Sequence, residues 1–318
     1  MTFLMNKARQ GYYSDLIFST GNNLRHLFKV SKNLLNITST PVLPPHEDKP
    51  QLANEMGTFF NRKIATIRSN LDNHSPQVCR VGSSDCNIDL PISKFDLVSQ
   101  EEVHDLICAS TKKTFSLDPI PTKLLFDCLD ILLSVITKII NYSLEHGVFP
   151  SMWKNALVFP LLKKDGLEPI FKNYRPVSNL QFIYKLTESA VSKELQHHIS
   201  MNKLFPLLRS SYRKFHSTES ALLKVKNDIL LQMKRQHVTL LVLLDLRAAF
   251  DTIVHGILLK RLRSTFGDRD TALSWIASYL SGRTQQGSID GTLSMKFDLE
   301  CGVPQGSCLG PLLFVVYC

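Results

Sequence analysis

Covalent and metal cross-links have little to work with in this sequence. Its seven cysteines, Cys79, Cys86, Cys108, Cys128, Cys301, Cys308 and Cys318, are odd in number and form no CxxC pair. That pattern points away from a disulfide framework and a zinc site, and it fits a reducing compartment. No apolar run approaches the roughly 18 residues of a membrane span. The longest candidates, Leu240 to Leu244 and Leu309 to Tyr317, are of core size. The first ten residues, MTFLMNKARQ, lack the apolar segment and cleavage site of a secretory signal. The expectation is a soluble intracellular chain, nuclear or cytoplasmic, with no membrane partner.

What is present suits a globular protein of more than one core. The 318 residues are 44% apolar and 20% charged, enough for two or three packed units. Lys and Arg number 37 against 28 acids, a net charge of +9. The excess is concentrated: from Lys154 to Lys214 there are eleven Lys or Arg and four acids, which is +7 of the total. Scattered cations are ordinary solvated surface, whereas a basic segment of this density favours a polyanion, with nucleic acid the first candidate.

Residues 1 to about 40 read as a polar helical arm, with Leu24, Leu27, Phe28, Leu34 and Leu35 at helical spacings. A proline-rich break, PVLPPHEDKP, precedes a short helix from Leu52 to about Ile67, and Arg68 to Asp89 reads as a linker. Ser99 and Glu102 have capping-box spacing. SLDPIPTKLL opens one long helix with an apolar stripe from Leu125 to Ile140 that Gly147 ends. Ala156 to Leu162 is a short strand followed by the basic turn Lys163, Lys164, Asp165 and Gly166. A helix spans Phe182 to His198. Leu207 to His216 interleaves Arg209, Arg213 and Lys214 with Tyr212 and Phe215, a pattern suited to phosphates and stacked bases and common too on half-buried loops. Ser217 or Thr218 caps a helix whose apolar face holds Leu222, Val225, Ile229 and Met233.

The run Val238 to Leu244 then reads as a strand that delivers the carboxylate of Asp245 to its end. Such an Asp can be a turn former, a helix cap or a metal ligand. Helices are expected at Val254 to Phe266 and Asp270 to Leu280, then a hairpin turning at Asp290 and Gly291. The loop GVPQGS, Gly302 to Ser307, has two glycines that let backbone approach a ligand closely.

Seven blocks occur in one order: SLDPIPTKLL, FPSMWKNALVFPLLKK, NYRPVSNLQFIYKLTE, SSYRKFHSTESALLKV, LLDLRAAFDTIVHGILLKRL, WIASYLSGRTQQGSIDG and GVPQGSCLGPLLF. Through them, about two-thirds of the chain resembles the reverse transcriptase of non-LTR (LINE-type) retrotransposons. The resemblance implies an α+β right-hand polymerase, with an N-terminal helical linker arm over 1–95, fingers over 96–236 and a partial palm over 237–318. It implies RNA template, DNA primer and deoxynucleoside triphosphates as partners, and a two-Mg²⁺ site. By the same resemblance Asp245 is the catalytic metal-binding aspartate and Phe250 the steric gate against ribonucleotides. Gln305 and Gly306 lie by the incoming nucleotide, and Lys163 or Lys164 with Arg175 contacts its triphosphate. Arg209, Tyr212, Arg213 and Lys214 are the nucleic-acid contacts.

The chain departs from the family at Arg247, Val254 and Gly256, where a small polar residue and two acids are usual, and no YxDD occurs in it. The expectation is therefore a truncated reverse transcriptase with little or no polymerase activity as written, its Leu309 to Tyr317 segment exposed. A non-catalytic nucleic-acid-binding module and a decayed element are the alternatives.

Overall fold

Local sequence fixes several helix ends. The Ser99 side chain accepts from the Glu102 N–H while the Glu102 carboxylate accepts from the Ser99 N–H, and a helix starts at Gln100. Ser217 and Ser220 make the same exchange ahead of Thr218. Gly147 takes φ 62° and stops another helix. The computed structural model describes residues 2–19, 21, 27–28, 30–31, 43–73, 91–110, 117–164, 166–244 and 248–318. Leu24, Leu34 and Leu35 of the expected arm, most of the expected linker, and Asp165 lie outside them.

The α-helices are α1 (Thr2–Ser19), α2 (Lys49–Asn73), α3 (Gln100–Ala109), α4 (Thr122–Asp127), α5 (Leu129–His146), α6 (Phe182–Met201), α7 (Thr218–Lys234), α8 (His255–Thr265), α9 (Asp270–Leu280) and α10 (Gly310–Tyr317), with short 3-10 turns at Ser151–Trp153 and Phe171–Asn173. Five strands form one sheet: β1 (Asn155–Leu162), β2 (Tyr174–Asn179), β3 (Arg283–Ile289), β4 (Thr292–Leu293) and β5 (Phe297–Leu299). β1 pairs antiparallel with β2, Leu161 opposite Arg175, and parallel with β3, Asn155 opposite Thr284. β4 and β5 both pair antiparallel with β3. Asp290 and Gly291 turn the β3–β4 hairpin at φ 48° and 84°, as a right-twisting two-residue turn requires. The fold is mixed α/β, and a single sheet joins strands lying before and after residue 236.

Two cores hold it. The larger gathers Val103, Ile107, Ile140, Leu144, Val191, Leu195, Leu258, Leu262, Trp275 and Leu313. At its centre the Phe149 ring stands edge-on to Tyr184, Tyr279 and Trp275, with centroids 5.2, 5.2 and 5.4 Å away. The smaller core packs Leu52, Ala53, Met56 and Phe60 of α2 on Tyr174 and Ile289 of the sheet. One acid is costly: neither oxygen of the buried Asp268 has a hydrogen-bond partner among the described residues. Burial, and then the charge of Glu194, push its pKa up to about 8.

Three expectations are corrected. The long helix is interrupted at Cys128, whose ψ of 23° turns its carbonyl to accept from both Ile131 and Leu132. The Leu309–Tyr317 segment is not exposed: Leu309, Leu312, Leu313, Val315 and Val316 are all buried. The strand expected at Val238–Leu244 is not formed, and Val238 and Leu240 to Leu244 are exposed. A strand needs a neighbour for its N–H and C=O groups, and none of the five described strands supplies one. The preceding α7 likewise buries no residue, its Leu222 and Met233 being 63% and 59% exposed.

Candidate functional site

A hydrogen-bonded polar region lies where three of the family-like blocks meet. Residues 250–253, which lead into α8, run beside the Gly302–Gln305 loop. The Gly302 N–H donates to the Ile253 carbonyl at 2.8 Å and the Val303 N–H to the Phe250 carbonyl at 2.9 Å. His255 Nε2 lies 2.8 Å from the Gly302 carbonyl, so the Nε2–H tautomer is the one that bonds. Burial holds its pKa below the usual imidazole value. The loop then reaches the sheet, where the Ser178 N–H of β2 donates to the Gln305 carbonyl at 2.8 Å.

Backbone this close leaves no room for side chains at two positions. A Cβ on Gly302, φ 82°, would meet the Asp251 carbonyl oxygen at 2.8 Å, and one on Gly306, φ 116°, would meet the Ser178 carbonyl oxygen at 2.8 Å. The closely approaching group that Gly306 accommodates is therefore strand β2.

Gln305 Nε2 donates to both oxygens of Asp251 at 2.8 Å. Burial raises the Asp251 pKa, opposed by the Gln305 hydrogen bonds and then by the charge of Lys63. Behind the loop, the buried Glu188 of α6 accepts from the Tyr279 hydroxyl at 2.7 Å and from the Cys308 N–H at 2.8 Å. The guanidinium of Arg283 lies 5.4 and 5.0 Å from the Tyr184 and Tyr279 ring centroids. Asp251 and Glu188 thus act as the two carboxylate clasps of the loop, and neither stood out in the sequence. Only the adjacency of Asp251 to Phe250 could have hinted at the first.

The residues singled out from the sequence are divided by this geometry. Phe250 is half-buried, 5.2 Å from the Phe314 ring and 6.4 Å from that of Tyr212, so Tyr212, Phe250 and Gln305 fall in one neighbourhood. Arg209 is partly committed elsewhere: Nη1 donates to the Val315 carbonyl at 3.1 Å, and the guanidinium lies over Phe314. Arg213 lies over Phe205 and Lys214 over Phe215. Lys164 and Arg175 are exposed, and strand alternation points Arg175 to the face opposite Tyr174 and α2. Asp245, with Leu246 and Arg247, lies outside the described residues.

Lys163 has different company. It lines a cleft of about 920 Å³ with Phe59, Arg62, Lys63, Thr66 and Ile67 of α2, Lys172, and Ala248. Partial desolvation, then the charge of Lys63, lower the Lys163 pKa. Phe59, Arg62, Lys63, Thr66 and Ile67 repeat at helical spacing, a signal the sequence contained, but their partners lie about a hundred residues away.

Among the described residues no group of three or more His, Cys, Asp or Glu side chains is placed to hold a metal ion. Of the two carboxylates about the loop, Asp251 is taken by Gln305 and Glu188 by the Tyr279 hydroxyl and the Cys308 N–H. The described donors therefore do not fit a metal pair. Nor is any helix among the described residues long and apolar enough to cross a membrane.

Residues 161–318 match the family described as reverse transcriptase (RNA-dependent DNA polymerase). The RNA-directed DNA polymerase from mobile element jockey of Drosophila melanogaster is 31% identical over 230 residues, 72% of this chain and 24% of that protein. The probable RNA-directed DNA polymerase from transposon X-element of the same species is 27% identical over 241 residues, 72% of this chain and 25% of that protein. A third, from transposon BS, is 28% identical over 179 residues, 56% of this chain. The chain spans about a quarter of the length of the first two relatives.

Proposed function

Residues 161–318 belong to the reverse transcriptase family, of the non-LTR retrotransposon kind, and from that premise we propose that the chain is part of a polymerase that copies RNA into DNA. In this reading 96–236 are fingers, 237–318 are palm, and 1–95 form an N-terminal arm. Its partners are an RNA template, a DNA primer and deoxynucleoside triphosphates, inside the cell. Enzymes of this family use divalent metal ions, and Mg²⁺ is the ion proposed, with Asp245 as its ligand. When bound, such an ion would supply the charge neutralisation that phosphoryl transfer needs.

The observation that favours this reading is the joint between Phe250 and the Gln305 loop. One backbone bond, Val303 to Phe250, and one side-chain clasp, Gln305 to Asp251, hold the proposed sugar gate and the proposed nucleotide-facing loop as one unit. A ring flanked by Tyr212 and Phe314 can exclude a 2′-hydroxyl by sterics. Lys163, Lys164 and Arg175 are assigned to the triphosphate, and Arg209, Tyr212, Arg213 and Lys214 to the nucleic acid. Cations supply charge-assisted bonds to phosphate oxygens.

A second reading, a nucleic-acid-binding module without turnover, is favoured by the basic cleft at Lys163. Binding of an RNA template annealed to a DNA primer, followed across salt concentration with a Mg²⁺-dependent primer-extension assay alongside, tests both. Hybrid binding that weakens with salt supports a nucleic-acid function. Extension abolished by Asp245→Ala supports the polymerase. Salt-dependent binding that Asp245→Ala leaves intact, with no extension, supports the second reading, and absence of binding at low salt overturns both.

A further inference from the structure

We infer that helix α2 completes a phosphate-binding cleft: Arg62 and Lys63, together with Lys163 and Lys172, form one site for the phosphates of a nucleotide or nucleic-acid strand. This rests on the nucleic-acid reading above and extends it to residues outside the 161–318 family match.

Four cations line one concavity of about 920 Å³, and no acid lines it among the described residues. None of the four forms an ion pair among the described residues, where the ion pairs involve Lys49, Arg68, His104, Lys193 and Lys224. Like charges gathered in one cleft repel one another: the Lys163 pKa is lowered first by desolvation and then by the charge of Lys63. An anion relieves the repulsion. Arg62 offers a planar fork to phosphate oxygens, and the lysines offer compact charges. Phe59 and Ile67, at the two ends of the same helical stripe, give a sugar or base an apolar wall.

The helix is fixed where this needs it. Leu52, Ala53, Met56 and Phe60 are buried against Tyr174 and Ile289. The Met295 N–H donates to Asn54 Oδ1 at 2.7 Å, and Lys49 pairs with Asp290 at 2.9 Å. Gly57 lies against Phe297 so closely that a Cβ would collide with the ring. Arg62 and Lys63 stay exposed on the adjacent face, free to meet a ligand. Lys163 Nζ donates to the Lys172 carbonyl at 2.6 Å, which ties the opposite wall together.

The test compares the 318-residue chain with its Arg62→Gln/Lys63→Gln variant, using a labelled 12-nucleotide single-stranded RNA and, separately, dTTP with Mg²⁺. The RNA affinity at low salt should fall about tenfold. The slope of log affinity against log salt should shrink by about 1.4, the value for two lost phosphate contacts on a single strand. Parallel loss of dTTP binding identifies a triphosphate ligand, and loss confined to RNA identifies the strand backbone; both support the site. Arg62→Lys/Lys63→Arg should restore most of the binding, and a circular dichroism melt should confirm that each variant folds.

RNA and dTTP binding within twofold of the parent, with Lys163→Gln still weakening it, overturns the role of α2 while leaving the nucleic-acid reading intact. Equal weakening by the remote pair Lys138→Gln/Arg235→Gln overturns it too, because net charge alone would then explain the loss. No binding by the parent chain to either probe overturns both readings.

Discussion

The Gly302–Ser307 loop lies in a family-like block and the segment from α7 to Leu244 begins and ends in two others, yet the two end in opposite environments. The loop is tied by six backbone or side-chain bonds to residues 250–255 and β2, and Glu188 clasps the residue that follows it. The other segment is more apolar and leaves Leu243 and Leu244 84% and 86% exposed. An apolar pattern states that a segment gains by burial, roughly 25 cal/mol per Å². It does not supply the surface that buries it. Polar clasps with fixed partners hold the loop, and the apolar run has no partner among the described residues.

The comparison breaks most sharply at Gly306. Gly306→Val places a branched side chain at φ 116° against the Ser178 carbonyl oxygen, and β-branched residues do not accept that conformation. The expected loss is about 3 kcal/mol of unfolding free energy, measured by urea denaturation. Retention of parental stability would mean that the loop does not lie on β2.

Gln305→Leu has a smaller effect that depends on pH. It leaves the buried carboxylate of Asp251 without its two hydrogen bonds, at a cost of about 2 kcal/mol near neutrality. Burial already raises the Asp251 pKa above the unfolded value, and removing Gln305 raises it further. A raised carboxylate pKa means the unfolded state gives up its proton first, so stability falls as pH climbs from the unfolded pKa through the folded one. The gap between parent and variant should therefore be small near pH 4 and widest near pH 8. A gap independent of pH would remove Asp251 from the account.

Much of this was legible along the chain because it is local. The Ser99 capping box, the Gly147 stop and the Asp290–Gly291 turn depend on residues within a few positions of one another, and all three formed as expected. Two of the family-like blocks meet in the structure, through the Val303–Phe250 and Gln305–Asp251 bonds. What the sequence could not show was pairing at a distance. Asp251 and Gln305 are 54 positions apart, and Arg62 sits a hundred residues before Lys163. Basic and aromatic alternation at 207–216 likewise said nothing about direction, and Arg209 turned partly inward to the Val315 carbonyl.

The smallest effect sharpens the comparison from the exposed side. Leu240→Ser/Leu243→Ser changes two side chains that are 86% and 84% exposed, so folding forfeits little buried area. The urea midpoint should move by no more than about 0.5 kcal/mol equivalent. Binding of an apolar dye and self-association should both fall, because contiguous exposed leucines are what such dyes and neighbouring molecules cover. A loss of 2 kcal/mol or more would show that the run is buried after all, against a surface outside the described residues. The contrast with the loop would then be one of partners and not of exposure.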